Sequence, residues 1–258
     1  MNFASPVPAA EHFPKAERPD TGRWGPWATI GWSIPIVVMM ILSQSAGAIV
    51  YLRWWRFLHP EHPIAFSAIA SNGAVLAVAI GVSAPIVLAF LVFVIRLSHQ
   101  PVKEYLALRF PRWRDIGLGA SLLALVLMGT GVIAGLAGKE TPAFIGDTFD
   151  TARDAGMLWL LVVSFVFLGP LQEEALFRGF LFRGFAPRFG IWPTIVVTSA
   201  VWAVTHAQYE WFFVGEIFAL GIAFGWLRAR SGSLLLTFGL HATVNAMAVI
   251  EAAFMAGS

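Results

Sequence analysis

Cysteine is absent from the 258 residues, which excludes disulfides, thiolate metal ligands and a cysteine nucleophile together. Charge is scarce as well. Only 12% of residues are Asp, Glu, Lys or Arg and 58% are apolar, against about 25% charged in soluble domains. With a mean hydropathy of +0.73, such a chain belongs in a bilayer. The Pro-rich, polar stretch 1–26 has no apolar core followed by a small-residue cleavage site, so no cleaved signal peptide is expected. The formal net charge is only +2, and the basic residues lie between apolar runs. They are placed to set topology, not to meet nucleic acid. No internal repeat and no linker long enough to split the chain is evident.

What is present is a series of apolar stretches, each measured against the roughly 20 residues that span hydrocarbon as a helix. They fall at about 27–52, 73–95, 116–138, 157–181, 191–208, 211–228 and 232–254. The expected fold is an all-α, polytopic transmembrane helical bundle of about seven spans, or eight if the short apolar piece 63–70 adds one. A polar tail at 1–26 precedes a single transmembrane domain at 27–258. With the N-terminus inside, thirteen of the seventeen Lys and Arg residues lie on the inner side, and only Arg53, Arg56, Lys139 and Arg153 lie outside. That bias selects this orientation. The inner connection Val102 to Arg114, VKEYLALRFPRWR, reads either as an amphipathic surface piece held by anionic lipid or as a plain topogenic loop.

Against this apolar background stands LQEEALFRGFLF, Leu171 to Phe182. Ionised groups in a span are costly, about 2.5–3.5 kcal/mol or more each, and usually face a bundle interior or a watery cavity. Glu174 and Arg178 are four apart, acid first, the favourable order for a pair on one helical face. Glu173 lies about 100° round the helix, free to point into a cavity, and is the candidate for chemistry. The plain alternative is a helix end reaching the headgroups, with Arg178 and Arg183 snorkelling.

Further along, His206 ends an apolar run in SAVWAVTHAQ, and LTFGLHATVNAM places His241 and Asn245 on one helical face. Singly, these could be an interfacial histidine and interhelical glue. Together with Glu173 they suit hydrolysis of an amide within a membrane. A desolvated glutamate takes a proton from water, one histidine orients that water, and a second histidine with an amide side chain meets the oxyanion. Two histidines and a glutamate are also a familiar zinc shell, while the helical HExxH pattern is missing. The cofactor therefore stays open between none and one divalent metal such as zinc, held by Glu173, His206 and His241. The same groups could serve a proton- or ion-coupled transporter, or be idle in a non-catalytic immunity or scaffold protein on the same fold. No repeated halves with paired broken helices support the transporter.

EEALFRG at 173–179, WAVTH at 202–206 and HATVN at 241–245 resemble the three motifs EExxxR, FxxxH and HxxxN of the CPBP family, the intramembrane CAAX prenyl proteases and bacteriocin-processing or Abi proteins. The resemblance covers about 157–250 and departs at Trp202, where the family usually has phenylalanine, an exchange expected to touch packing more than chemistry. It implies a peptidase of the glutamate or metallo type, acting on a protein or peptide substrate, lipidated in the CAAX case, beside membrane lipid. It also implies an integral protein of a prokaryotic cytoplasmic membrane. By the resemblance Glu173 is the general base, His206 positions water, His241 and Asn245 are oxyanion donors, and Glu174 with Arg178 is the supporting pair. One difficulty accompanies it. Glu173 falls in the inner part of the fourth span and His206 near the outer end of the fifth, a depth mismatch of about ten ångströms at about 1.5 Å per residue. Glu216, in the sixth span, is expected near the outer interface beside Glu210, or lining the cavity.

Overall fold

The structure is a computed structural model that describes residues 24–140 and 142–256. The expected polar tail, with Lys15, Arg18 and Arg23, lies outside the described residues except at its last three positions. Nine helices carry the described chain: α1 Pro26–Leu58, α2 Gly73–Leu97, α3 Val102–Tyr105, α4 Trp113–Leu136, α5 Ala143–Asp154, α6 Leu158–Phe189, α7 Ile191–Val204, α8 Trp211–Ser231 and α9 Leu234–Ala256.

Six of these, α1, α2, α4, α6, α8 and α9, are long and apolar enough to cross a membrane. The chain is an integral membrane protein with a polytopic helical bundle. The remaining expected span, the fifth at about 191–208, is α7, and it has only 14 residues. At about 1.5 Å per residue it is roughly 21 Å long, short of a hydrocarbon core of about 30 Å. The stretch 63–70 supplies no eighth span, because it holds only the six-residue 3₁₀ turn Phe66–Ser71.

Local chemistry sets the helix ends. The Asn72 side chain accepts the Val75 N–H at 3.0 Å and caps α2. Gly232, at φ +65°, closes α8 by returning its N–H to the Arg228 carbonyl. Pro35 and Pro85 sit inside α1 and α2 without ending them, as neighbouring helices in a bundle allow.

Lipid tails are as apolar as leucine, so close packing, not water exclusion, joins helices in a bilayer. Gly221 and Gly225 on α8 show how. A β-carbon at either would come within 2.9 Å of Ser199 or Ile195 on α7. Ser43 on α1 donates to Ser83 on α2 at 3.0 Å, adding a polar tie between long apolar helices.

The connection Val102 to Arg114 is not an amphipathic surface helix. It makes one four-residue helical turn, α3, and buries Tyr105 and Leu106, with Tyr105 stacked on Phe180 of α6. Ala107 takes the left-handed conformation at φ +53°, and its carbonyl accepts the Leu234 N–H at 3.0 Å. This backbone tie pins the loop against the start of α9.

Helix α6 is the organising element. Its residues Val163–Leu168 and Ala175–Leu181 wind as wide π turns on either side of Gly169–Glu174. Such turns shift the helical phase and loosen backbone carbonyls, and they recur at functional sites.

Candidate active site

Just before and within its second π turn, α6 turns Glu174 and Arg178 fully inward, to 0% and 1% exposure. The Arg178 guanidinium donates to Glu174 Oε1 at 3.0 Å. It also lies 4.2 Å over the Trp202 ring and donates to the Gly221 carbonyl at 3.5 Å. Two ionised groups removed from water in this way need each other, because either one alone would be an uncompensated buried charge.

His241 of α9 joins the pair from above. Its Nδ1 lies 3.2 Å from Glu174 Oε1. A carboxylate can only accept, so a proton sits on Nδ1, and in the neutral form of the ring Nε2 carries a lone pair. His206 repeats the arrangement with a different acceptor: its Nδ1 donates to the Trp202 carbonyl at 2.9 Å. Both Nε2 atoms point at Glu173, each 4.0 Å from Oε2.

Glu173 and His206 therefore meet, and the short α7 explains how. The helix ends at Val204, and His206 lies just past its end, in a turn where its N–H bonds the Ala203 carbonyl. A seventh helix that stops short of full thickness leaves its C-terminal end at the depth of Glu173. The depth mismatch expected from a full-length span is removed.

Trp202 holds Glu173. Its indole N–H donates to Glu173 Oε2 at 2.6 Å, and its ring packs edge-on against both His206 and His241. That bond is one phenylalanine cannot make, so tryptophan at this position adds a polar contact to the packing expected of it. Asn245, one turn after His241 on α9, donates one amide hydrogen to the Phe165 carbonyl in the first π turn at 2.7 Å. Its second amide hydrogen remains for the cavity.

These groups line a cavity of about 730 Å³ that includes Glu173, Trp202, His206, His241 and Asn245, a volume that suits a ligand site. Glu216 lines it too, accepting the Thr130 hydroxyl at 2.9 Å. Tyr209, in the connection between α7 and α8, borders the cavity and stacks edge-on with Phe144. Burial, and secondarily the charge on Glu173, pushes the Tyr209 hydroxyl up to about 12, so it stays a neutral donor.

Zinc would need bonds of about 2.0–2.2 Å to the two imidazoles and the carboxylate. Each Nε2 is 4.0 Å from Glu173 Oε2, which already accepts the indole N–H. Among the described residues no three His, Asp or Glu groups are placed to hold an ion. Glu173, His206 and His241 as arranged do not fit a metal.

The spacing of Trp202 and His206, four apart and so on one helical face, could have flagged the indole. No comparable signal marks Tyr209 or the Phe165 carbonyl, because both depend on how the chain folds back.

Residues 155–247 match the family model described as type II CAAX prenyl endopeptidase Rce1-like. The chain is also 27% identical over 171 residues to an uncharacterized 24.3 kDa protein of Escherichia coli, an alignment covering 59% of this chain and 78% of that one. No solved structure matches. The matched segment runs from the start of α6 through most of α9 and contains every residue that meets around Glu173, so it is in the part of the chain that carries this site that the chain is similar to Rce1-like CAAX prenyl endopeptidases.

Proposed function

We propose that the chain is an intramembrane endopeptidase that hydrolyses a peptide bond near or within the membrane, with Glu173 activating water. The observation that carries this reading is the equal separation, 4.0 Å, of Glu173 Oε2 from the Nε2 atoms of His206 and His241 inside one cavity. That distance is too long for a direct hydrogen bond. An oxygen about 2.8 Å from each of two such atoms subtends an angle near 90°, so one water can bridge the carboxylate and an imidazole.

In the reaction, Glu173 takes one proton from that water and His206 Nε2 accepts a hydrogen bond from the other, aiming the oxygen lone pair at the carbonyl carbon. The C–O bond forms and the carbonyl oxygen becomes an oxyanion. Asn245 donates its remaining amide hydrogen there. His241 can donate from Nε2 only as the imidazolium, since its Nδ1–H is committed to Glu174. Collapse breaks the C–N bond, and the proton held by Glu173 passes to the leaving amine. Glu174 and Arg178 fix His241 without touching the substrate. The family's name supports a lipidated peptide tail as substrate, and the largely apolar cavity wall is compatible with one.

The test uses purified protein with two probes, a farnesylated peptide ending in a CAAX tail and its unprenylated counterpart. New peptide termini are read by mass spectrometry. The wild-type chain is expected to cleave the lipidated probe, and Glu173→Gln to lose about 10²–10⁴-fold in rate, the usual contribution of a positioned base. Cleavage that survives Glu173→Gln unchanged overturns the reading.

A further inference from the structure

Trp202 differs from the phenylalanine common at this motif position by one chemical function, the indole N–H. The plain account of Trp202 is a core aromatic, since it is 2% exposed and packs near Phe224. An aromatic ring alone would meet that need. A buried indole N–H, however, must find an acceptor, and the one it finds is Glu173 Oε2 at 2.6 Å, shorter than the roughly 2.7–2.9 Å usual for charge-assisted N–H bonds.

The contrast among the site residues sharpens the point. Glu174 is locked by Arg178, His241 by Glu174, His206 by the Trp202 carbonyl and Asn245 by Phe165. Glu173 is 29% exposed on the cavity and has neither imidazole within hydrogen-bond reach. The indole is what holds its carboxylate in place. The ring is itself fixed, by Arg178 over its face and by the two imidazoles at its edges.

We propose that Trp202 is a positioning residue for Glu173, its indole N–H fixing the carboxylate by the oxygen that faces both imidazoles. The kinetic consequence rests on the hydrolytic reading above; the contact itself does not. Without the N–H, the Glu173 side chain gains rotamers directed into the cavity, and the water loses its fixed partner.

Two measurements separate these levels. In full-length protein labelled with ¹⁵N-tryptophan, the Trp202 indole cross-peak is identified by its loss in Trp202→Phe. It is expected apart from those of the other ten tryptophans and to move toward them in Glu173→Gln, which removes the charge and keeps the shape. A Trp202 cross-peak that already lies among the others and ignores Glu173→Gln overturns the contact, and with it the proposal. On the farnesylated probe, Trp202→Phe is expected to lower kcat about tenfold, the factor that ~1.4 kcal/mol of lost transition-state stabilisation carries, with KM within about twofold. An unchanged kcat, in a variant whose size-exclusion profile and melting temperature match wild type, overturns the positioning role. If no form of the protein cleaves the probe but the cross-peak behaves as stated, the contact stands and the hydrolytic reading is what fails.

Discussion

Nδ1 of His241 and Oε1 of Glu174 are 3.2 Å apart, and the same carboxylate oxygen accepts from Arg178 at 3.0 Å. Helix α6 therefore controls the tautomer of an imidazole on α9 through a charge that is itself neutralised one turn away. The arrangement resembles the carboxylate that orients a catalytic histidine in hydrolytic triads, where the acid stays ionised and fixes the ring.

Breaking that pair from one side should be worse than removing it whole. Glu174→Gln leaves Arg178, at 1% exposure, as an uncompensated buried charge, a change that costs about 3–5 kcal/mol. The double variant Glu174→Gln/Arg178→Met should recover part of that loss. Thermal unfolding of the four forms in one detergent gives the coupling. A double variant less stable than either single one would show that the ion pair is not what holds this end of α6.

Asn245 joins a structural bond to an open donor, so its replacement should act on rate and stability together. Asn245→Ala loses the Phe165 contact and the hydrogen left for the cavity. A fall in kcat of about 10²–10³-fold is expected, the usual effect of one oxyanion donor, with a modest drop in melting temperature. Asn245→Asp should not restore the rate, since an ionised carboxylate cannot donate. Restoration by aspartate would exclude a donor role.

The parts of this site that lie close in sequence were legible, and those made by folding were not. Glu174 and Arg178 are four apart on one helix, so their contact follows from helical periodicity. The membrane helices follow from hydropathy, and α2, α4 and α9 begin and end within about three residues of the stretches read from sequence. The π turns of α6 have no residue pattern that announces them, and with them goes the Phe165 carbonyl that receives Asn245. The depth of His206 depended on a few residues at the end of α7, where THAQYE shifts from apolar to polar. Reading that segment as a full span moved the histidine away from its partner. Trp202 was read for its volume, while its N–H is what reaches Glu173.

On the proposed hydrolytic reading, chelation should leave cleavage unchanged. Glu173 Oε2 accepts the indole N–H and stands 4.0 Å from each imidazole, wider than about 3.4 Å, the separation expected for two ligands at tetrahedral zinc with bonds of about 2.1 Å. Treatment of the purified protein with EDTA or 1,10-phenanthroline, followed by the farnesylated-peptide assay, is expected to retain the rate within about twofold. Loss of activity that returns on adding zinc would mean the site closes around an ion, and that water activation by Glu173 alone is wrong.

Tyr209 gives the site an alkaline signature. Burial and the nearby Glu173 charge push its hydroxyl up to about 12, against about 10 for a free tyrosine. Between those values the unfolded chain releases the proton before the folded one does. The stability present below about pH 10 is therefore lost as pH rises toward 12. Absorbance at the tyrosinate band should show one of the three tyrosines ionising near pH 12, and that step should vanish in Tyr209→Phe. The melting temperature of Tyr209→Phe should fall less steeply than wild type between pH 10 and 12, because phenylalanine has no proton to lose. Parallel slopes for the two proteins would mean that Tyr209 is open to solvent, and that the Glu173 charge is not felt at the cavity mouth.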